Sequence, residues 1–181
     1  MNTSTMILLE TERLLFRQHV ADDLQPYCEM ESDAIYRSPQ RVHPRSELER
    51  SFWEAVLPAK EMGLLATVLR SEGKYIGRCG LYPHRDDGGD LVPGEGVLAF
   101  YLARPYWSRG LASEAGRAFV EYGLKTLKLT RIVAGASRAN VASNRSIQNS
   151  GLIFSHSGGG EDGGPGWNAY EIRQPADEGV V

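Results

Sequence analysis

Apolar positions along the chain fall into short runs with two different periods, and the alternation between those periods orders the fold. Leu8, Leu9, Leu14, Leu15 and Phe16, with polar residues interleaved, read as one opening strand over 8–17. Ala21-Asp22-Asp23 supplies an N-cap for a helix in which Leu24, Tyr27, Cys28 and Glu31 recur at helical spacing. Pro39 and Pro44 mark a loop. Ser46 followed by Glu49 has the form of a capping box, and Leu48, Phe52, Trp53, Val56 and Leu57 give the next helix an apolar face before Pro58 hinders it. The β-rich runs 64–69 and 75–82, separated by Arg70-Ser71-Glu72-Gly73-Lys74, predict a hairpin. A strand follows over 95–103, its stretch 97–102 continuously apolar as in a buried strand. Leu111, Ala115, Ala118, Phe119 and Tyr122 lie three and four residues apart, which predicts a helix over 109–126 starting near Ser108 to Gly110. A strand at 131–136, a short helix at 140–149 ended by Gly151, and strands at 152–156 and 167–173 complete the order.

That order is β, α, α, β, β, β, α, β, α, β, β. Hairpins combined with one strand-helix-strand crossover predict an α/β (α+β) fold: a mixed, mostly antiparallel sheet of about seven strands flanked by about four helices. With 181 residues the chain accommodates one domain with a full core. Its hydrophobic fraction of 41%, charged fraction of 24% and mean hydropathy of -0.34 are those of a globular chain in water. No apolar run approaches the roughly 18 residues that span a bilayer, and the first residues lack the basic leader of a signal peptide, so no membrane association and a cytoplasmic location are expected. A net charge of -3 argues against non-specific nucleic-acid binding. Cys28 and Cys79 form no metal-ligand spacing with the four histidines, and they read as buried free thiols.

Two glycine-containing segments invite comparison as anion sites. Gly158-Gly159-Gly160-Glu161-Asp162-Gly163 satisfies GxGxxG, but Pro165 and Gly166 follow where a dinucleotide site requires a helix, and Glu161 and Asp162 would repel pyrophosphate. It reads as a loop between antiparallel strands. Trp107-Ser108-Arg109-Gly110-Leu111-Ala112, by contrast, joins a strand to a helix. A helix start presents unpaired N–H groups and the positive end of its dipole, and Gly110 lets an anion approach the backbone. No GxxxxGK[ST] motif occurs, so nucleotide hydrolysis has no support.

Beyond the next strand, the segment 138–152 places Asn, Ser and Arg side chains at a helix start. The two segments together resemble the GCN5-related N-acetyltransferases, whose motif A reads Q/R-x-x-G-x-G/A; Trp107 stands at the Q/R position. The ribosomal-protein N-terminal acetyltransferase branch looks similar too, with "LxTERLxLR", "YWGxGxAxEA" and "NxxSxRxxEKxGF". Here those are Leu9 to Arg17, Tyr106 to Ala115, and the segment starting Asn140-Val141-Ala142-Ser143-Asn144-Arg145. The resemblance spans residues 8–173. It implies that acetyl-CoA lies where the strand ending near Ala103 splays from the strand at 131–136. Its pyrophosphate would meet the N–H groups of Ser108, Arg109, Gly110, Leu111 and Ala112, and its other phosphate Arg104, Arg109 or Arg145. The backbone of Tyr101, Leu102 and Ala103 would pair with the pantetheine arm and stabilise the oxyanion. Asn140 and Ser143 resemble cofactor contacts of the family and equally fit helix caps.

The chain departs from the family pattern at Ser108, where many members have glycine, and at Ile147, where many carry a tyrosine that protonates the leaving thiolate. The reaction implied is direct attack of a primary amine on acetyl-CoA, with no metal and no covalent intermediate on Cys28 or Cys79. Glu95, acting directly or through water, is the first candidate base and His84 the second. Asp86, Asp87, Asp90, Glu161 and Asp162 either attract a cationic acceptor or serve solubility. Tyr36, Phe52, Trp53 and Trp167 either wall the acceptor site or pack the core. The acceptor expected is a protein N-terminus or a small amine, a CoA-binding sensor without turnover is the rival, and a homodimer is the default assembly.

Overall fold

The computed structural model describes residues 6–33, 43–159 and 166–174. Tyr36, Glu161 and Asp162, and most of the 158–163 glycine segment, lie outside them. The strands are β1 (Ile7–Glu10), β2 (Leu14–Arg17), β3 (Gly63–Leu69), β4 (Lys74–Arg85), β5 (Leu91–Leu102), β6 (Arg131–Ser137), β7 (Ile153–Gly158) and β8 (Trp167–Arg173). The α-helices are α1 (Leu24–Glu31), α2 (Arg45–Ser51), α3 (Leu111–Lys125) and α4 (Val141–Asn149). All eight strands form one sheet in the order β1-β2-β3-β4-β5-β6-β8-β7, and only the β5/β6 pair is parallel. The mixed, mostly antiparallel sheet is therefore as the sequence predicts.

Three local expectations are corrected. The single opening strand is a tight hairpin of β1 and β2, because Thr11 turns the chain by accepting the Leu14 N–H at its hydroxyl, 3.0 Å away. Asp23 does not cap α1. It accepts the Val20 N–H at 2.9 Å and pairs with both terminal nitrogens of Arg17 at 2.6 and 2.7 Å, which pins β2 to the turn before the helix. The Ser46 capping box is also not formed: Pro44 holds the N-cap position, two residues earlier, and Glu49 accepts instead from Arg45 Nε at 2.8 Å. After Ser51 the chain widens into one π-helical turn, Phe52–Val56.

The main core lies between the sheet and α3. Phe16 meets Phe119 edge-on at 4.7 Å between ring centroids, and Leu98, Leu102, Leu111, Ile132 and Ile147 are buried around them. Close approach depends on one glycine: a Cβ at Gly116 would sit 1.9 Å from Ser150 Oγ, so α3 and α4 touch only because residue 116 has no side chain. A smaller cluster of Tyr27, Cys28, Leu48, Phe52 and Val56 covers the opposite face. There Arg78 pairs with the fully buried Glu31 at 2.7 Å and lies between the rings of Tyr27 and Tyr101, so α1 is anchored to β4 and β5 by a charge as well as by apolar contact. The free thiols of Cys28 and Cys79 are buried as expected; burial pushes the Cys79 thiol up to about 12, so it stays protonated.

Candidate functional site

The parallel pair at the middle of the sheet is short. β5 and β6 are in register only at Glu95/Arg131, Gly96/Ile132 and Val97/Val133, although β5 continues to Leu102 and β6 to Ser137. From Val97 onward the two strands separate, leaving a gap in an otherwise continuous sheet. Ala103 donates its N–H to Ile76 across the β4 ladder at 2.8 Å. The alternation of an antiparallel ladder then turns the polar groups of Tyr101 and Ala103 toward β4, and those of Phe100 and Leu102 toward the gap. Of the three residues named for pantetheine pairing, Leu102 alone faces that way; Phe100 joins it. The Leu102 carbonyl accepts Trp107 Nε1 at 2.6 Å, so the Trp107 indole folds the following turn back on the strand.

Both helix starts meet the open end of this gap. After β5, a 3-10 turn at Arg104–Tyr106 leads to Ser108 and Gly110, both in left-handed conformations with φ of 57° and 76°, and α3 begins at Leu111. The helix starts slightly later than its apolar period suggests because these two residues bend the chain first. Gly110 adopts that conformation without strain, whereas Ser108 carries a Cβ where glycine is favoured. The Arg109 guanidinium lies over the Tyr106 ring at 5.5 Å, and the first N–H groups of α3 have no partner within the helix. Across the gap, α4 begins just past the end of β6. Asn140 caps it, its Oδ1 accepting the Ser143 N–H at 3.0 Å. Ser143 is partly buried and Arg145 exposed in the first turns. Asn144, not singled out from the sequence, is the hub here: it donates to the Ser137 carbonyl at 2.8 Å and accepts from Tyr170 at 2.7 Å and Asn168 at 2.9 Å. It locks α4 to β6 and β8. Ile147 is buried in the core.

At the closed end of the gap the structure joins the two candidate bases. His84 on β4 and Glu95 on β5 lie 2.8 Å apart, Nδ1 to Oε2. Arg131 Nη1 reaches the same Glu95 oxygen at 3.0 Å, while its Nη2 holds Glu171 at 2.6 Å. Partial burial works against the Arg131 charge, but the Glu171 and Glu95 carboxylates outweigh it, and Arg131 in turn holds the Glu171 carboxyl below its usual range. A carboxylate only accepts, so the contact with Glu95 puts a proton on His84 Nδ1, and Nε2 is the ring nitrogen that Glu95 does not engage. The imidazole lines a concave surface with Tyr82, Pro83, Arg85 and Val97, and Val97 is where β5 and β6 part. In the acidic loop, Asp86 Oδ1 accepts the N–H groups of Gly88 and Asp90 within its own turn. Phe52 is fully buried and belongs to the core, whereas Trp53 and Trp167 are 48% and 43% exposed. Among the described residues no cluster of metal-ligating side chains occurs.

The fold has known counterparts. The acetyltransferase from Bacillus anthracis, of the GNAT family, superposes with a TM-score of 0.78 at 22% identity, covering 93% of this chain and 98% of that one. The structure of AAC(6')-Ib in complex with ribostamycin and coenzyme A superposes with a TM-score of 0.73 at 19% identity, covering 93% and 98%. In sequence, an uncharacterized N-acetyltransferase p20 of Bacillus licheniformis is 25% identical over 159 residues, covering 82% of this chain and 86% of that protein. The family model described as the acetyltransferase (GNAT) domain matches residues 13–153, a span that contains the β5/β6 gap, the turn before α3 and the Asn140 cap, and the chain belongs to the GNAT family of N-acetyltransferases.

Proposed function

We propose that the chain acetylates a small primary amine by direct attack on acetyl-CoA, with His84 taking the proton. The observation that carries this is the loss of β5/β6 pairing after Val97, with the starts of α3 and α4 at the open end and His84 at the closed end. The site suits the donor chemically: N–H groups at the start of α3, beside a residue without a side chain, fit pyrophosphate. Phe100 and Leu102 offer backbone pairing to an extended pantetheine arm, and Arg104, Arg109 and Arg145 are the cations available to a further phosphate.

An amine attacks only when neutral. An α-amine with a pKa near ~8 is roughly a tenth neutral at pH 7, whereas an alkylamine near ~10.4 is neutral less than about 0.1% of the time, so a base beside the thioester matters most for the latter. His84 Nε2 accepts the proton as the C–N bond forms, and Glu95, hydrogen-bonded to Nδ1, stabilises the imidazolium. Breaking the C–S bond releases the CoA thiolate, which takes up a proton and leaves as thiol; the amine becomes an amide. Residue 147 is an isoleucine buried in the core, so this position supplies no phenol to the thiolate, and a thiol of pKa near ~8.5 departs without a dedicated acid. The aminoglycoside acetyltransferase fold match, of nearly equal length, supports a small-molecule acceptor.

The test is thiol release from acetyl-CoA by the purified protein across polyamines, aminoglycosides, amino acids and peptides with free N-termini. Release with small amines is expected. Release only with peptides would replace the acceptor by a protein N-terminus, and tight CoA binding without any release would make the chain a sensor.

A further inference from the structure

The opening hairpin and the turn before α3 are about a hundred residues apart in sequence, yet they share one carboxylate. Thr11 Oγ1 donates to Glu114 Oε1 at 2.6 Å, the Arg13 N–H donates to the same oxygen at 3.0 Å, and Arg13 Nε donates to Oε2 at 2.6 Å. Arg13 Nη1 then reaches past the helix to the Arg109 carbonyl at 2.9 Å. Its Nη2 is the nearest atom to the place where Gly110 would carry a Cβ, 3.6 Å away. Arg70 supports this arrangement by donating to the Thr11 carbonyl at 2.7 Å. These residues do more than join two elements. Glu114 stands in the first turn of α3, where its charge would oppose any anion held by the same N–H groups.

We propose that Arg13, with Thr11, is a positioning residue of the donor site: it neutralises Glu114 and fixes the Arg109-Gly110 peptide so that the start of α3 accepts pyrophosphate. This rests on the acetyl-CoA reading of the gap. The Arg13 fork holds one carboxylate oxygen and one carbonyl at the same time, which an ammonium on a flexible stem does not reproduce. Removing Arg13 alone therefore has two consequences: the turn loosens, and a carboxylate is bared beside the phosphate site. Removing the Glu114 charge as well cancels the second.

The experiment measures binding of CoA by calorimetry and turnover of both acetyl-CoA and acetyl-pantetheine, which lacks the pyrophosphate. Arg13→Ala and Arg13→Lys are expected to weaken CoA about tenfold or more and to raise KM for acetyl-CoA with little change in kcat, while kcat/KM for acetyl-pantetheine stays within about twofold. The double variant Arg13→Ala/Glu114→Gln is expected to recover part of the CoA affinity lost in Arg13→Ala. CoA affinity unchanged in Arg13→Ala overturns the proposal, as does an equal loss with both donors, which would mark a purely structural contact. Further loss in the double variant overturns it too. A parent protein that binds no CoA overturns the donor-site reading itself, and the clamp with it.

Discussion

The two ends of the β5/β6 gap are built from different materials. At the open end, the groups offered are mostly backbone: N–H groups of α3, strand groups of Phe100 and Leu102, and a glycine that stays out of the way. At the closed end they are side chains, with His84, Glu95, Arg131 and Glu171 joined into one hydrogen-bonded row. The difference teaches where specificity resides. A backbone site tolerates many side chains and is tuned by chain conformation, so it suits a donor that is always the same. A side-chain site changes with single substitutions, so it suits chemistry and acceptor choice.

Separate damage to each end sharpens that contrast. His84→Gln is expected to lower kcat by about 10²- to 10³-fold, in line with loss of a general base, with CoA affinity unchanged in calorimetry. A weaker CoA complex in this variant would break the division between the two ends. Gly110→Val forces a β-branched residue to a φ of 76° and should weaken CoA by about a hundredfold, with the pH profile of kcat that of the parent. Glu95→Gln keeps the shape of the row but removes the charge behind the imidazole. A loss of about tenfold in kcat is expected, together with a shift of the pH–rate profile; a profile matching the parent would remove Glu95 from the mechanism.

The smallest effect is one of pH at the open end. Burial alone would raise the Glu114 carboxyl, but the hydrogen bonds from Thr11 and Arg13 and the Arg13 charge outweigh it and hold the group below its ordinary value. A carboxyl depressed in the folded state adds stability above its unfolded pKa of about 4.3, and that contribution is lost as pH falls through the lower folded value. Melting temperature measured from pH 6 downward should therefore fall more steeply in the parent than in Glu114→Gln. Parallel curves would show that the clamp carries no net charge effect.

Most of the architecture was legible because period and punctuation agree. The continuous apolar run in β5 and the three-and-four spacing in α3 place the end of the strand, the turn and the helix within two residues of where they lie, whereas β5 starts at Leu91, four residues before its expected start. The misses share a cause. Thr11 and Asp23 each make a local turn contact and also meet a charged partner, Glu114 and Arg17, while Glu49 pairs with Arg45 one helical turn away in place of the cap. A short polar side chain chooses the best available charge, and distance along the chain does not rank those choices. Asn144 was passed over for the same reason, since its partners on β6 and β8 are invisible in a linear segment.

Sequence by itself determined the order of elements, the glycine that opens the turn before α3, and the motifs that mark the family, because each depends on local backbone preference or on residue identity at close spacing. Tertiary structure decided the rest. It ended β5/β6 pairing at Val97, made His84 and Glu95 one unit rather than two rivals, and set Arg13 against Glu114. Each of these is a meeting between side chains or strands that only the register of the whole sheet brings within hydrogen-bond distance.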